Sequence, residues 1–220
     1  MIAEKTLYRH TTQTHRELNA LLDAAAAMKT TPGQPRKGFE AADRFMDATS
    51  RHLSTVESVL LPAAAKHLDD HGVLLRDYVK ASKDLETALV VAKGREYGSV
   101  YAVKMRWDDV WSAVRTALHE QEDRETRLAS RLTEALGEDA TAALVQRMAD
   151  AQKGAMSRPH PHAPHVGIGA SVARRFLHLI DSFWDTAEGR MAPEQPHAPH
   201  KKPGLIGQYL LADPRFDEEK

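Results

Sequence analysis

The chain has 220 residues, 42% of them hydrophobic, and its 30 Lys and Arg residues nearly balance its 31 Asp and Glu residues for a formal net charge of −1. A chain of this length can bury a core of its own and makes one domain, or one domain with an appended segment. The balanced charge gives no basic surface for nucleic acid and no polybasic membrane anchor, so we expect neither partner.

Cysteine is absent from the sequence, whereas histidine occurs 12 times. The lack of cysteine excludes disulfides, thiolate nucleophiles, iron–sulfur clusters and cysteine-ligated zinc. Any metal must therefore be bound by His, carboxylate, Tyr or solvent, and the histidines keep such a site open. The apolar runs are far shorter than the roughly 18 residues that a membrane-spanning helix needs, and the N-terminus has no apolar signal core, which predicts a cytoplasmic protein.

Four long amphipathic helices are predicted in the first part of the chain, from apolar residues that recur at three- and four-residue spacing. Their apolar stripes cover residues 7–25, 39–60, 74–89 and 103–132. Pro and Gly residues separate the stripes, including Pro62 and Gly72 at the expected end of the second helix. Because short connections favour antiparallel neighbours, we predict an all-α fold, namely an up-down-up-down four-helix bundle.

A fifth helix is predicted at about 138–152, so the predicted bundle domain covers residues 1–152. The composition then changes, because RPHPHAPHVGIG at 158–169 carries alternating prolines that remove backbone donors and prevent a helix. Residues 153–169 are therefore predicted to form a Pro/His-rich linker. Helical periodicity returns at 170–188, and residues 170–220 are predicted to form an amphipathic helix and a tail docked on the bundle. A homodimer through this C-terminal helix is the alternative.

The candidate metal ligands are inward-facing polar residues on different helices, which is how metal sites in helical bundles are built. His15 flanks the first stripe and His52 lies within the second, so both can point inward. Glu125 shares the buried face of the fourth helix with Gln121, four residues earlier. A buried Glu needs a cation or a hydrogen-bond partner, so His15, His52 and Glu125 are the predicted metal ligands.

Other readings of these residues remain open. His119 and Asp123 also have the four-residue spacing, but they lie on the far side of the fourth stripe and are expected to be a solvated pair. Glu57 lies five residues after His52, about 140° around an ideal helix, and would approach the site only through a π-bulge. Each inward histidine, taken alone, is also explained as an ordinary core residue. No spacing of Ser, His and Asp indicates a catalytic residue, so an enzyme is not favoured.

Several segments resemble the hemerythrin-like, or HHE cation-binding, family. THRELNALLDA at 14–24 and HLSTVESVLLP at 52–62 are similar to the His-containing segments of its first two helices. SRPHPHAPHVGIG and VARRFLHLIDSFWDTAEGR, after the predicted bundle, resemble the tail of its actinobacterial members. The resemblance implies a four-helix bundle that holds non-haem diiron and that binds oxygen, senses oxygen or iron, or acts in peroxide or nitric oxide stress.

The resemblance also implies roles for individual residues. His15 and His52 match first- and second-helix ligands, and Glu125 matches the fourth-helix carboxylate. The remaining family ligand positions are occupied by Val56, Ser82 and Gln121. If the fourth helix is aligned one turn differently, His119 and Asp123 take its two positions.

Two functional hypotheses follow from the sequence. The first is a divergent hemerythrin-like protein that binds one or two non-haem iron ions and a small ligand, namely oxygen, peroxide or nitric oxide. The second is a metal-free hemerythrin-like scaffold that serves as an interaction or structural module.

Overall fold

The structure, a computed structural model, describes residues 6–29, 35–97, 104–153 and 155. Within these ranges the chain forms helices and no strand, which confirms the all-α class. The helices are α1 (Thr6–Ala26), α2 (Pro35–His67), α3 (His71–Glu96), α4 (Trp107–Ala135) and α5 (Glu138–Gln152). The linker expected at 153–169 lies outside the described residues except for Lys153 and Ala155. The C-terminal helix and tail expected at 170–220, with their dimer contact, lie wholly outside them.

The ends of two helices carry charges that suit the helix dipole. Asp108 and Asp109 lie in the first turn of α4, and Glu138 and Asp139 lie in the first turn of α5. Negative charges near a helix N-terminus are stabilising, which favours helix starts at these positions. Helix α4 begins at Trp107, so the apolar stripe predicted from residue 103 starts about one turn before the helix.

Helix α2 continues through Pro62, where the sequence pattern had placed its end. A proline inside a helix removes one backbone hydrogen bond and costs about 3 kcal/mol. Its neighbours Leu60, Leu61 and Ala64 are at most 2% exposed. Because burying a leucine side chain contributes about 1.5–3 kcal/mol, packing on both sides of Pro62 outweighs the local cost.

Each helix packs against several others. α1 contacts α2, α4 and α5, while α3 contacts α2 and, most extensively, α4. α2 contacts all four other helices and so has several buried faces. None of the helices in the described ranges combines the length and apolarity needed to cross a membrane.

The interior contains two clusters of buried apolar side chains. The first apolar cluster includes Leu7, Val56, Leu60, Tyr78, Leu128, Leu132, Leu144 and Met148. The second apolar cluster includes Leu18, Leu22, Phe45, Leu53, Leu85, Leu89, Trp111, Val114 and Leu118. Trp111 stacks on Trp107 with ring centroids 5.6 Å apart and meets the edge of Phe45 at 6.3 Å.

Between the two apolar clusters lies a set of buried polar residues, which we name the polar layer. Its members are Thr11, His15, Thr49, His52, Ser82, Gln121 and Glu125. On α1 the layer separates Leu7 of the first cluster from Leu18 of the second, and on α4 it separates Leu128 from Leu118. Polar groups in such a position lose contact with water, so each needs a partner within the protein or a bound ligand.

Candidate metal centre

The polar layer brings His15, His52 and Glu125 together from three different helices. The Nε2 atom of His15 lies 3.1 Å from Glu125 Oε2, and that of His52 lies 2.7 Å from the same oxygen. The two imidazole rings are nearly perpendicular, with centroids 5.1 Å apart. His15 and Glu125 are 0% exposed and His52 is 3% exposed. One ligand atom from each residue lies within 4.8 Å of the other two, so the three donors form one compact group.

Helical periodicity explains why these side chains face the interior. His15 follows buried Thr11 by four residues and precedes buried Leu18 by three. Glu125 follows buried Gln121 by four and precedes Leu128 by three. Residues three and four apart share one face of a helix, so burial of the apolar stripe carries the polar residues inward with it.

One oxygen of Glu125 collects all of its hydrogen bonds. Glu125 Oε2 faces both imidazoles and also accepts a 2.9 Å hydrogen bond from Gln121 Nε2. The other carboxylate oxygen, Oε1, is buried and has no hydrogen-bond partner in the described structure. Gln121 Oε1 and His15 Nδ1 are likewise buried and unpartnered there. Buried polar atoms are nearly always satisfied, so this concentration of unpartnered atoms indicates a place for a ligand.

The charges of the three residues depend on one another. Burial by itself would raise the pKa of Glu125, but the positive charge and hydrogen bonds offered by His52 and His15 outweigh it and hold the pKa far below its ordinary value. Burial opposes protonation of His15, yet its hydrogen bond to Glu125 raises the pKa of that imidazole overall. The carboxylate is therefore ionised, and its surroundings favour a positive charge beside it.

Two of the three donor spacings are close to those around a transition-metal ion. Ligand atoms about 2.1 Å from an ion, at angles between octahedral and tetrahedral, lie about 3.0–3.4 Å from each other. The two His–Glu distances, 2.7 and 3.1 Å, are within a few tenths of an ångström of that range. Two imidazoles and one carboxylate are a donor set that binds zinc or non-haem iron and leaves coordination positions open.

The other candidate residues lie elsewhere. His119 and Asp123 are exposed on α4, on the side expected from the stripe. Glu57 is buried, at 5% exposed, but it does not belong to the group of three. Its burial follows from the packing of α2, which contacts α5 as well as the other helices.

The three other positions to which the sequence resemblance assigned ligands hold buried residues of other types. Val56, Ser82 and Gln121 are each 0% exposed. Val56 has no atom that could bind a metal. Gln121 carries an amide where an imidazole would be needed, and its nitrogen donates a hydrogen bond to Glu125. Among the described residues, no His or carboxylate of α3 joins the group.

Tyr78 is a site residue that the sequence did not reveal. Its hydroxyl accepts a 3.3 Å hydrogen bond from Gln121 Nε2, which in turn binds Glu125. Burial raises the pKa of Tyr78 well above its ordinary value, the negative charges of Glu125 and Glu57 raise it further, and the hydrogen bond from Gln121 only partly opposes this. Tyr78 is thus a neutral phenol. Its position four residues before Ser82 places it on the same helix face, but that spacing predicts only a core residue.

Comparisons of the chain with family models, with curated proteins and with solved structures give no match.

Proposed function

We propose that this chain is a divergent hemerythrin-like protein in which His15, His52 and Glu125 bind one non-haem iron ion. The observation that carries the proposal is the environment of Glu125. This carboxylate is fully buried, one of its oxygens lacks a partner, and no Lys or Arg side chain of the described residues contacts it. A buried carboxylate needs a positive charge beside it, and a metal cation bound by Glu125 and the two imidazoles supplies that charge.

The order of helix contacts supports an antiparallel four-helix bundle around this site. The contacts between α1 and α4 are Asp23–Arg115 at 2.8 Å, Asn19–Glu122 at 3.5 Å and His15–Glu125 at 3.1 Å. The residue number falls along α1 as it rises along α4. The contacts Asp70–Arg131, at 3.2 Å, and Tyr78–Gln121, at 3.3 Å, follow the same opposite order for α3 and α4.

One ion is a better fit than two. A dinuclear site needs further carboxylate or imidazole ligands, but the neighbouring positions hold Val56, Ser82 and Gln121. Two neutral imidazoles and one carboxylate leave a divalent ion with a net positive charge, which suits an additional small anionic or diatomic ligand.

Bound iron supplies a redox-active Lewis acid with open coordination positions. The protein side chains bind it, exclude bulk water and limit access, because the three ligands are at most 3% exposed. A ligand that reaches such a site must be small, which supports oxygen, peroxide or nitric oxide as the molecule bound or sensed.

Metal analysis of the protein purified without oxygen tests the proposal. We expect about one equivalent of iron, or tight uptake of Fe(II) on reconstitution, and loss of both in Glu125→Gln, since structural metal sites require the ionised ligand. His119→Ala is the matched control because its imidazole is exposed. Less than about one-tenth equivalent of any transition metal, with no uptake, refutes the proposal. Loss of metal in His119→Ala would move the site to the alternative pair.

A metal-free scaffold is the second candidate, and one observation favours it. Glu125 Oε2 already has three donors at hydrogen-bond distance, so a protonated imidazole can compensate the carboxylate without an ion. In that case a strong chelator leaves the unfolding midpoint unchanged, whereas the metal protein loses stability when the ion is removed.

A further inference from the structure

Gln121 uses both hydrogens of its side-chain amide within the polar layer. Its Nε2 atom lies 2.9 Å from Glu125 Oε2 and 3.3 Å from the hydroxyl oxygen of Tyr78. An amide nitrogen carries two hydrogens, so it can donate one to each acceptor. Gln121 is therefore held at two points, one on its own helix and one on α3.

The carboxylate of Glu125 fixes the orientation of the Gln121 amide. If the amide were flipped, its oxygen would face an ionised carboxylate oxygen at 2.9 Å, which is repulsive. The orientation with nitrogen toward Glu125 leaves the amide oxygen buried without a partner in the described structure. The amide oxygen of Gln121 thus lacks a partner while the amide nitrogen binds the charged carboxylate.

Tyr78 is the contribution of α3 to this arrangement. The hydroxyl belongs to a fully buried residue of the first apolar cluster, so it is held by packing rather than by solvent. α1, α2 and α4 each contribute one member of the three-residue group, whereas α3 contributes the hydroxyl of Tyr78, which is linked to Glu125 through Gln121.

We propose that Gln121, oriented by Tyr78, is a positioning residue that holds the Glu125 carboxylate in its metal-binding orientation and weakens its electron donation to the ion. This inference rests on the proposed function. A donor hydrogen-bonded to a ligating oxygen fixes the rotamer of the ligand and draws electron density from it. Removing the donor therefore loosens the ligand and, where the ion is iron, favours the ferric over the ferrous state.

The inference predicts graded effects on metal affinity. Gln121→Met keeps the length of the side chain without its amide, and we expect it to weaken Fe(II) binding by about 10- to 100-fold, as is typical of lost outer hydrogen bonds. Tyr78→Phe should weaken binding less, since Gln121 keeps its bond to Glu125. The double variant should bind no more weakly than Gln121→Met, because Tyr78 acts only through Gln121. The reduction potential of bound iron should fall in both single variants.

Matched controls exist on the surface of α1. Gln13 donates a 2.8 Å hydrogen bond to Glu17 with the same four-residue spacing as Gln121 and Glu125, but both residues are exposed. Tyr8 is 45% exposed. Gln13→Met and Tyr8→Phe should leave affinity and potential unchanged, so a shift seen only in the buried variants assigns the effect to the polar layer.

Competition against a chelator of known affinity, with anaerobic Fe(II), measures the effect on the full-length chain. If the wild-type protein binds no Fe(II), the proposed function and this inference both fail. If the wild type binds but Gln121→Met lies within about twofold of it, only the inference is wrong. If the double variant loses as much Fe(II) affinity as the two single variants together, Tyr78 does not act through Gln121. A visible charge-transfer band of the ferric protein that disappears in Tyr78→Phe also overturns it, since Tyr78 would then be a ligand.

Should Gln121→Met fail to fold, Gln121→Leu replaces it, because that change also removes the amide and keeps a similar apolar volume. With the donor to Glu125 removed, the reduction potential should fall as in Gln121→Met. A potential equal to that of the wild type contradicts the inference.

Discussion

Three of the ion pairs that join helices in the described part of the chain differ in their exposure to solvent. They are His15–Glu125 between α1 and α4, Lys93–Asp43 between α3 and α2, and Arg115–Asp23 between α4 and α1. The side chains are 0% and 0% exposed in the first pair, 19% and 49% in the second, and 49% and 67% in the third. The same two helices, α1 and α4, therefore carry both the most buried and the most exposed pair.

The distance between the charged atoms does not predict how much each pair contributes to stability, but the exposure of its side chains does. Arg115 and Asp23 are 2.8 Å apart, closer than the 3.1 Å between His15 and Glu125. Water solvates either member of the exposed pair when the other is removed, so the pair contributes little. Removal of one member of the buried pair leaves a charge without solvent, which is costly. Substitutions in the three pairs test this difference directly.

The largest effect is expected from His15→Leu in the metal-free protein. The change leaves the buried Glu125 carboxylate with only His52 and Gln121 beside it, so we expect a loss of about 3–5 kcal/mol in the free energy of unfolding. Urea denaturation at neutral pH in the presence of a chelator measures it. The double variant His15→Leu/Glu125→Gln removes the charge as well and should recover most of the loss. A loss below about 1 kcal/mol in the single variant contradicts the argument.

A somewhat smaller effect is expected from the metal itself. An ion that binds only the folded state at about 100 times its dissociation constant adds about 2.7 kcal/mol to the free energy of unfolding. The wild-type protein should therefore unfold at higher urea with Fe(II) than with chelator, under anaerobic conditions. Glu125→Gln should show no such difference. An equal gain in that variant would place the binding site elsewhere.

Part of the candidate site could be predicted from the sequence. The inward positions of His15, His52 and Glu125 follow from apolar periodicity, since the face of a helix is set by residues within one or two turns. The role of Tyr78 could not be derived in this way, because a tyrosine in an apolar stripe packs like any core residue while its hydroxyl partner lies on another helix.

Two other features depend on contacts that periodicity does not encode. Glu57 is buried because α2 packs on several sides, so a residue off the main stripe still loses solvent. α2 also continues through Pro62 because Leu60, Leu61 and Ala64 are buried around it. In both places tertiary packing overrides the local signal.

Lys93→Met should have an intermediate effect. Burial lowers the pKa of Lys93, but the charges of Glu96, Asp43 and Tyr97 outweigh it and raise the pKa above its ordinary value of 10.5. A group whose pKa is raised on folding contributes stability below its unfolded pKa and loses that contribution as pH rises through the folded value. We expect a loss of about 1–2 kcal/mol at pH 8, discounted for partial exposure.

The pH dependence of the same substitution separates Lys93 from its surroundings. Above pH 10.5 the wild type should lose stability relative to its value at pH 8, and the difference between wild type and Lys93→Met should shrink. Chemical denaturation at pH 8 and pH 11 measures this. A difference that stays constant would mean that Lys93 contributes through packing of its methylene chain alone.

The smallest effect is expected from Arg115→Ala. The Arg115–Asp23 pair is exposed on both sides, so we expect a loss below about 1 kcal/mol at low ionic strength. That loss should fall further at 1 M salt, where the Debye length is only about 3 Å. Urea denaturation at two salt concentrations gives both values. The same salt increase should leave the His15→Leu effect nearly unchanged, because its pair is shielded from ions by the protein. A loss of stability in Arg115→Ala that does not depend on salt, or that is as large as the loss in His15→Leu, would show that exposure does not determine how much these pairs contribute.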